Sequence, residues 1–416
     1  MLVEFSVANF RSIRERQTLS LVAAPAAKEL NDRNVMEAGA PATPPLLRSA
    51  VIYGANAAGK SNLILALEFV RSFVRDSARE SQLGDAVEIT PFLMDADSSS
   101  QPSEFELIFV QGGVRYQYGF TVNRHEVLSE WLSAYPEGRP QRWFERGLGD
   151  ELWFFGSNFR GQKQVWKDLT RKNALFLSTA VQFNADQLTP VFEWFRDRLR
   201  IISPGSHISS SFSVHQCEND EAMRGVIANF LRAADIDIDA IECERRKVNA
   251  AALPDHLPED LRARLLDQGV VNLRIRHKTP IGTHVALDID DESQGTRKLF
   301  ALAGPWLDVL ANGWVLLVDE LDTSLHPHVM RHVVQMFNDP AVNLHQAQLI
   351  FSTHDTSILD PELFRRDQIW FVEKDAHLQS RLYPLTDFSP RKGENFGRGY
   401  LQGRYGAVPF VGELRV

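Results

Sequence analysis

The run Val51-Ile52-Tyr53-Gly54-Ala55-Asn56-Ala57-Ala58-Gly59-Lys60-Ser61-Asn62 constrains the fold more than any other stretch of the chain. Three apolar residues suited to a buried strand enter a loop nearly bare of side chains, and "KSNLILALEFVRSFVRD" continues with apolar residues at helical spacing. This is the strand, loop and helix frame of G-x-x-x-x-G-K-[ST], the Walker A pattern. Its small residues let backbone N–H groups curl around a phosphate chain, and the helix N-terminus adds favourable partial charge. In this reading Gly54, Asn56, Gly59, Lys60, Ser61 and Asn62 contact the nucleotide, ATP. Lys60 reaches the terminal phosphates, and Ser61 gives an oxygen to Mg2+. A tight strand-to-helix turn is the plainer alternative, which the flanking strand and helix patterns disfavour.

With 416 residues, 44% hydrophobic and 24% charged, the chain has enough apolar material for a large core and for two or three lobes. Its net charge of -9 lends no support to nucleic-acid binding, although a local basic face is compatible with an acidic total. Cys217 and Cys243 are the only cysteines; they form neither a disulfide framework nor a zinc spacing and read as small buried side chains in a reducing compartment. "TLSLVAAPAAKEL" superficially resembles a cleavage signal. It follows "MLVEFSVANFRSIRERQ", which nearly alternates as a strand and carries Glu4 where a secretion signal needs positive charge. No apolar run approaches the roughly 18 residues of a membrane span. The expectation is a cytoplasmic chain with no membrane partner.

A phosphate loop becomes catalytic only with a metal ligand and a water-activating group. "WVLLVDE" (314–320) is an apolar strand ending in two acids, the Walker B pattern. Asp319 is placed to serve magnesium and Glu320 to polarise water. A second apolar strand, "QLIFSTHD", ends at His354, where an imidazole can reach a terminal phosphate from a neighbouring parallel strand. Upstream, "DESQGTRKLFALAGPWLDVL" sets Ser293, Gln294 and Gly295 before a helical run, a small polar helix start suited to an anion. So far from the first loop, this start is best used by the nucleotide of a second subunit, which implies a homodimer or higher oligomer with composite ATP sites.

The ordered set of phosphate loop, "ESQGT", "LLVDE", "LDTSLHP" and "STHD" resembles the ATPase head shared by ABC proteins, SMC and RecF-type proteins and OLD-like ATPases of bacterial phage defence. The resemblance is closest to the OLD-like, AAA-type ATP-binding proteins of abortive-infection and RloB-associated systems. It is carried by "MLVEFSVANFRSI" at one end, and by "STHDTSILDPELFRRDQIWFVEKD" and "GYLQGRYGAVPF" at the other, and it fades in the middle. It implies that Ser293 and Gly295 meet the partner's terminal phosphate, that Asp322 belongs to a D-loop across the dimer interface, and that His354 is a switch histidine.

The fold expected is α/β, an ABC/SMC-type phosphate-loop ATPase head with a mixed sheet, interrupted by a mostly helical insertion. Residues 1–125 form the first half of the head, 126–270 the insertion, and 271–416 the second half. "EFELIFVQGGVRYQYGFTV" reads as a hairpin turning at Gly112-Gly113, and "TPVFEWFRDRLRII" and "EAMRGVIANFLRAA" as helices. The glutamine-bearing loop of transporter heads is not identifiable, and Gln101 reads as a solvated loop residue. Arg245, Arg246, Lys247, Arg262 and Arg264, interleaved with Glu244, Glu259 and Asp260, read as a solvated helix surface before a nucleic-acid face. Trp143, Trp153, Trp166 and Trp194 read as core. "WFVEKD" faintly resembles a TOPRIM acidic motif through Glu373 and Asp375, but no D-x-D pair follows, so a nuclease would be a separate protein. The resemblance implies a TOPRIM-like effector of the RloB type as partner. The function expected is an ATP-hydrolysing switch that dimerises around ATP and controls that effector in phage defence. The alternative is a RecF- or SMC-like DNA-maintenance ATPase that clamps nucleic acid directly.

Overall fold

A computed structural model describes residues 1–147, 152–203, 209–246, 269–323, 325–390 and 393–409, together with 258, 259, 262, 266 and 267. In chain order the strands are β1 (Leu2–Ala8), β2 (Gln17–Ser20), β3 (Val35–Met36), β4 (Leu46–Leu47), β5 (Ser49–Tyr53), β6 (Ser103–Gln111), β7 (Val114–Val122), β8 (Val127–Tyr135), β9 (Gln141–Arg146) and β10 (Trp153–Phe155). They continue with β11 (Leu199–Ile202), β12 (Ala240–Arg246), β13 (Val270–Lys278), β14 (His284–Asp288), β15 (Val315–Val318), β16 (Gln348–Ser352), β17 (Ile369–Lys374) and β18 (Ser380–Pro384).

The chain divides into two compact units. The first comprises 1–205, 310–323 and 333–416, and the second 206–309 and 324–332. These limits do not coincide with the boundaries expected at 125 and 270. Residues 126–205 supply β8, β9 and β10 to the antiparallel sheet of the first unit, so part of the expected insertion is continuous with the head. The fold is mixed α/β, and the inserted region contributes strands as well as helices.

Among the described residues the first unit has two large sheets, an antiparallel one in the order β10-β9-β8-β7-β6-β1-β2 and a second in the order β11-β15-β16-β5-β17-β18, beside the short pair β3-β4. In the second, β11, β15, β16, β5 and β17 are parallel and β18 closes the edge antiparallel to β17. The helix Lys60–Asp76 buries Leu63, Ile64, Leu67, Val70, Phe73 and Val74, a stripe at helical spacing, in a core shared with both sheets. Phe69 and Phe73 of that helix meet Phe105 and Phe120 of the antiparallel sheet at ring separations of 5.1 and 5.6 Å. The helix that ends the phosphate loop is therefore pinned by aromatic packing.

The β6–β7 hairpin turns at Gly112-Gly113 as expected, both with positive φ. The expected helix over "TPVFEWFRDRLRII" holds only in its first part: a turn of helix at Thr189–Glu193 and a wider π-type turn at Trp194–Arg198 give way to β11. Pairing with β15 along Leu199–Ile202 outweighs the local helical pattern. Trp143, Trp166 and Trp194 are buried, in keeping with the core reading. Gln101 is an exposed residue following the short helix Ala96–Ser100.

In the second unit β12, β13 and β14 form a small antiparallel sheet beside the helices Ser211–Asn219 and Glu221–Ala233. Arg245 and Arg246 lie on β12, a strand and not the expected helix, and pair with Glu218 at 2.6 Å and Glu244 at 3.3 Å. Lys247, Asp260 and Arg264 of the same expected surface lie outside the described residues.

One buried ion pair ties the expected insertion to the antiparallel sheet. The Glu130 carboxylate, fully buried on β8, accepts the N–H groups of Phe176 (2.7 Å) and Leu177 (3.0 Å) and the Tyr118 hydroxyl (3.0 Å). Arg146 lies 3.0 Å away and is itself buried. Glu130→Ala leaves that guanidinium and two backbone donors without their acceptor, so stability is expected to fall by about 3–5 kcal/mol. Urea unfolding followed by tryptophan fluorescence checks this; a loss under about 1 kcal/mol, the range of an exposed pair, would reject it.

Candidate functional site

Parallel order places the carboxyl ends of β15, β16 and β5 side by side. Val318 pairs with Phe351, and Ser352 with Ile52, so the residues after these strands leave the sheet along one edge. That edge is where open α/β sheets bind ligands. The segments that follow are Asp319-Glu320, Thr353-His354 and the loop Gly54–Gly59.

The loop is braced from outside. At Gly59 φ is +113°, and a Cβ would fall 2.1 Å from Ser380 Oγ and 2.7 Å from Ser12 Oγ, so both backbone and space require glycine. Ser12 and Ser380 hydroxyls are 2.7 Å apart, and Ser380 Oγ donates to the Ala58 carbonyl at 2.6 Å. Asn62 Nδ2 donates to Ser12 Oγ at 2.6 Å, so its amide here fixes the loop in place. Asn56 is exposed at the loop crest, and Ser61 is half-buried in the first turn of the helix.

Lys60 is 5% exposed, and its ammonium donates to the carbonyls of Gly54 (2.9 Å) and Ala55 (3.2 Å). Burial lowers its pKa from the ordinary lysine value, while the charges of Asp319, Glu320 and Asp322 act to raise it. All three acids are thus close enough to be felt by the loop lysine.

Asp319 is 7% exposed. Its Oδ1 accepts the Ser352 hydroxyl, and its Oδ2 is buried without a hydrogen-bond partner among the described residues. Ser352 Oγ in turn accepts the Glu320 N–H at 2.8 Å, and the Ser352 carbonyl accepts Leu321 N–H at 3.0 Å. One serine of β16 therefore holds the Asp319 carboxylate and the backbone of Glu320 and Leu321. Glu320 is exposed and adopts φ +51°, a left-handed conformation that costs a non-glycine residue about 1–2 kcal/mol. Its carboxylate accepts the Thr323 hydroxyl at 3.3 Å.

Asp322 Oδ2 accepts the His354 N–H at 3.4 Å, and its Oδ1 is buried and unpartnered among the described residues. The His354 side chain is exposed. Behind them the Tyr53 hydroxyl donates to the Asp355 carbonyl at 2.9 Å, and burial with the Asp355 charge pushes the Tyr53 phenol well above its usual value. Asp355 Oδ2 is a third buried carboxylate oxygen without a partner among the described residues.

No group of three or more His, Cys, Asp or Glu among the described residues forms a metal cage. A magnesium ion asks for less, because it keeps several waters and takes oxygens from a bound polyphosphate. Ser61 and Asp319 fit such a share, and the unpartnered Asp319 Oδ2 is the observation in favour.

Ser293, Gln294 and Gly295 lie in the second unit at the start of the helix Gln294–Asn312. The Ser293 hydroxyl caps the helix by accepting Thr296 N–H at 3.1 Å, and all three residues are exposed in the single chain.

Ser352, Ser12 and Ser380 escape the sequence reading. A serine in a strand or turn looks ordinary, and Ser12 and Ser380 lie at opposite ends of the chain. Glu373, which had faintly suggested a nuclease motif, accepts Ala407 N–H at 2.9 Å and so holds the C-terminal segment. Tyr400 and Tyr383 anchor the same segment through the Ala407 and Tyr405 carbonyls, both at 3.0 Å. Together with Ala55–Ala58 it encloses a cavity of about 640 Å³.

No helix among the described residues is long and apolar enough to cross a membrane. No curated protein matches the chain. Among solved structures, the SMC head bound to the C-terminal winged-helix domain of ScpA is similar at 14% identity and a TM-score of 0.43, covering 92% of this chain and 97% of that one. An Smc head domain with an extended coiled coil, bound to the C-terminal domain of ScpA from Pyrococcus furiosus, is similar at 11% identity and a TM-score of 0.41, covering 92% and 96%. A family model described as "AAA domain, putative AbiEii toxin, Type IV TA system" matches residues 49–360, a span that begins with β5 and takes in the phosphate loop, both strand-end acids and His354. The chain belongs to this AAA-domain family.

Proposed function

We propose that this chain is an ATP-binding and ATP-hydrolysing head that dimerises around its nucleotide. The observation that carries the reading is the pairing of a braced loop holding a buried lysine with a buried aspartate whose second oxygen lacks a partner among the described residues, at one edge of a parallel sheet. In this reading Gly54, Asn56, Gly59, Lys60, Ser61 and Asn62 hold the nucleotide, and Ser61 and Asp319 hold Mg2+. When bound, the ion offsets phosphate charge. Glu320 accepts the proton of the attacking water, and His354 contacts the terminal phosphate. Ser293, Gly295 and Asp322 complete the partner's site.

Two outputs follow from such a head. As a RecF- or SMC-like ATPase it clamps nucleic acid directly. As a defence switch of OLD-like type it controls a separate effector, a TOPRIM- or RloB-like nuclease, in keeping with the toxin–antitoxin description of the family. Arg274 and Arg276 on β13 pair with Asp288 and with Asp239 and Glu242, so a nucleic-acid face on that sheet would have to break ion pairs first.

Sedimentation with and without ATP tests the shared part. ATP is expected to convert monomer to dimer, and Ser293→Arg, which sets bulk and charge at an exposed helix start, to abolish hydrolysis while sparing nucleotide binding. Mixing Ser293→Arg with Lys60→Ala restores one intact composite site per mixed dimer, so partial activity is expected to return. A constant monomer with full activity at high dilution would leave a self-contained ATPase and remove the dimer. ATPase stimulation by DNA in the absence of any other protein separates the first output from the second.

A further inference from the structure

The two cysteines, far apart in sequence, meet inside the second unit. Cys217 lies on the helix Ser211–Asn219, fully buried, and Cys243 on β12, half-buried. Cys243 and Arg245 share one face of β12, and Arg245 reaches Glu218, next to Cys217, so that face is turned toward the helix, and each thiol shifts the titration of the other. Arg224, from the neighbouring helix Glu221–Ala233, donates to the Cys217 carbonyl at 3.4 Å, and its charge favours the Cys243 thiolate. The other charged group facing the pair is Glu218, and Arg245 holds it at 2.6 Å. A half-buried cysteine beside a guanidinium, backed by a second thiol, is the arrangement of a reactive cysteine with a resolving partner.

We propose that Cys243 and Cys217 form a peroxide-reactive dithiol that closes to a disulfide between the helix Ser211–Asn219 and β12. The roles divide by environment. The Cys243 pKa is lowered to about 7, chiefly by the neighbouring Cys217 thiol and further by Arg224, whereas the same neighbour and burial raise that of Cys217. Cys243 is therefore the attacking thiolate, and Cys217 the thiol that keeps its proton.

The chemistry balances with hydrogen peroxide as oxidant. The Cys243 thiolate attacks one peroxide oxygen, an S–O bond forms as the O–O bond breaks, and hydroxide leaves to become water with a solvent proton. The Cys217 sulfur then attacks the sulfenic sulfur; the S–O bond breaks, the S–S bond forms, and the Cys217 proton departs with the hydroxyl as a second water. Two thiols are oxidised and one peroxide is reduced.

The disulfide is placed to be felt at the ATPase, a consequence that rests on the function proposed above. One turn before Cys217 on the same helix, Ser213 donates to the Ala301 carbonyl at 3.2 Å and accepts Gly304 N–H at 3.1 Å. Ala301 is four residues before Pro305, so its carbonyl lacks the usual helical donor, and Ser213 replaces it. The packing is close: a Cβ at Gly304 would fall 2.5 Å from Ser213 Oγ. Ser213 is thus set into the proline joint of the helix that begins at Gln294, and a staple on its own helix restrains that joint.

The full chain, reduced and then exposed to hydrogen peroxide, is digested and read by mass spectrometry. A Cys217–Cys243 cross-linked peptide is expected. Cys217→Ser should stop at a sulfenic acid trapped by dimedone on Cys243, and Cys243→Ser should remain unoxidised at the same dose. Alkylation of Cys243 in the wild-type protein, read on its own peptide and followed against pH, should show an inflection below that of a free thiol. Equal oxidation of both single variants, or no cross-link in the wild type, overturns the dithiol. In parallel, oxidised wild type is expected to change its ATP turnover at least about twofold relative to reduced, reversibly with dithiothreitol, with no change in Cys217→Ser/Cys243→Ser. Unchanged turnover with the cross-link present overturns the coupling, whereas absence of ATPase activity in both states counts against the proposed function and leaves the cross-link result standing.

Discussion

Glu320→Gln is expected to retain ATP and lose about 10²–10⁴-fold in turnover, the range associated with removing a positioned general base. The substitution keeps size and the local backbone contacts, since Ser352 Oγ binds the Glu320 N–H and not its side chain. It also removes a negative charge felt by Lys60, so nucleotide binding should not weaken. If turnover is what returns the dimer to monomer, the variant should accumulate as an ATP-bound dimer in sedimentation. Near-normal hydrolysis would move the base to another group, and the exposed His354 is then the first to test. Asp319→Asn separates the two acids. Asp319 is buried, its Oδ1 is taken by Ser352 and its Oδ2 is unpartnered among the described residues, so this variant should lose magnesium-dependent stimulation, whereas Glu320→Gln should keep it.

The legible parts of the fold were those whose cause is local. A glycine pair sets the β6–β7 turn, and the apolar spacing of Leu63, Leu67, Val70 and Val74 fixes the buried face of the loop helix. Both can be read within a few residues. β11 could not, because Leu199–Ile202 follow a helical pattern and become a strand only through β15, more than a hundred residues later. The boundary expected near 125 falls between two paired strands: β8, written as part of the insertion, hydrogen-bonds to β7.

The site divides along the same line. Lys60, Asp319, Glu320 and His354 were marked by motif spacing, since their chemistry demands particular side chains next to a loop or strand end. The groups that aim them were not marked. Ser352 binds both acids of a neighbouring strand, and the Ser12–Ser380 contact spans nearly the whole chain to buttress one glycine. A serine makes these contacts through one hydroxyl, with no spacing rule to betray it. The strain at Glu320 is of this kind too, because a positive φ at a glutamate is visible only in the backbone. The same reach explains the cysteines. They were read as two small buried side chains, and only the packing of a helix on β12 makes them neighbours.

Lys60→Ala is expected to lower ATP affinity by at least about 100-fold, close to 3 kcal/mol, because it removes charge-assisted bonds to the phosphates. The fold should survive. In the single chain the ammonium is bound to the Gly54 and Ala55 carbonyls, and its loss leaves the buried Gly54 carbonyl short of a donor at a cost of about 1–3 kcal/mol. Those same bonds give the lysine a resting position in the loop, where burial works against its charge and three nearby acids favour it. Lys60→Arg is the sharper variant, since it keeps the charge but must fit a larger planar group where the native side chain is 5% exposed. Arginine should therefore fail to restore binding, even though circular dichroism and thermal melting show a folded protein. Equilibrium titration with a fluorescent ATP analogue reads both variants. Wild-type affinity in a folded Lys60→Ala would mean that the loop braced by Ser12 and Ser380 is a structural turn and holds no phosphate.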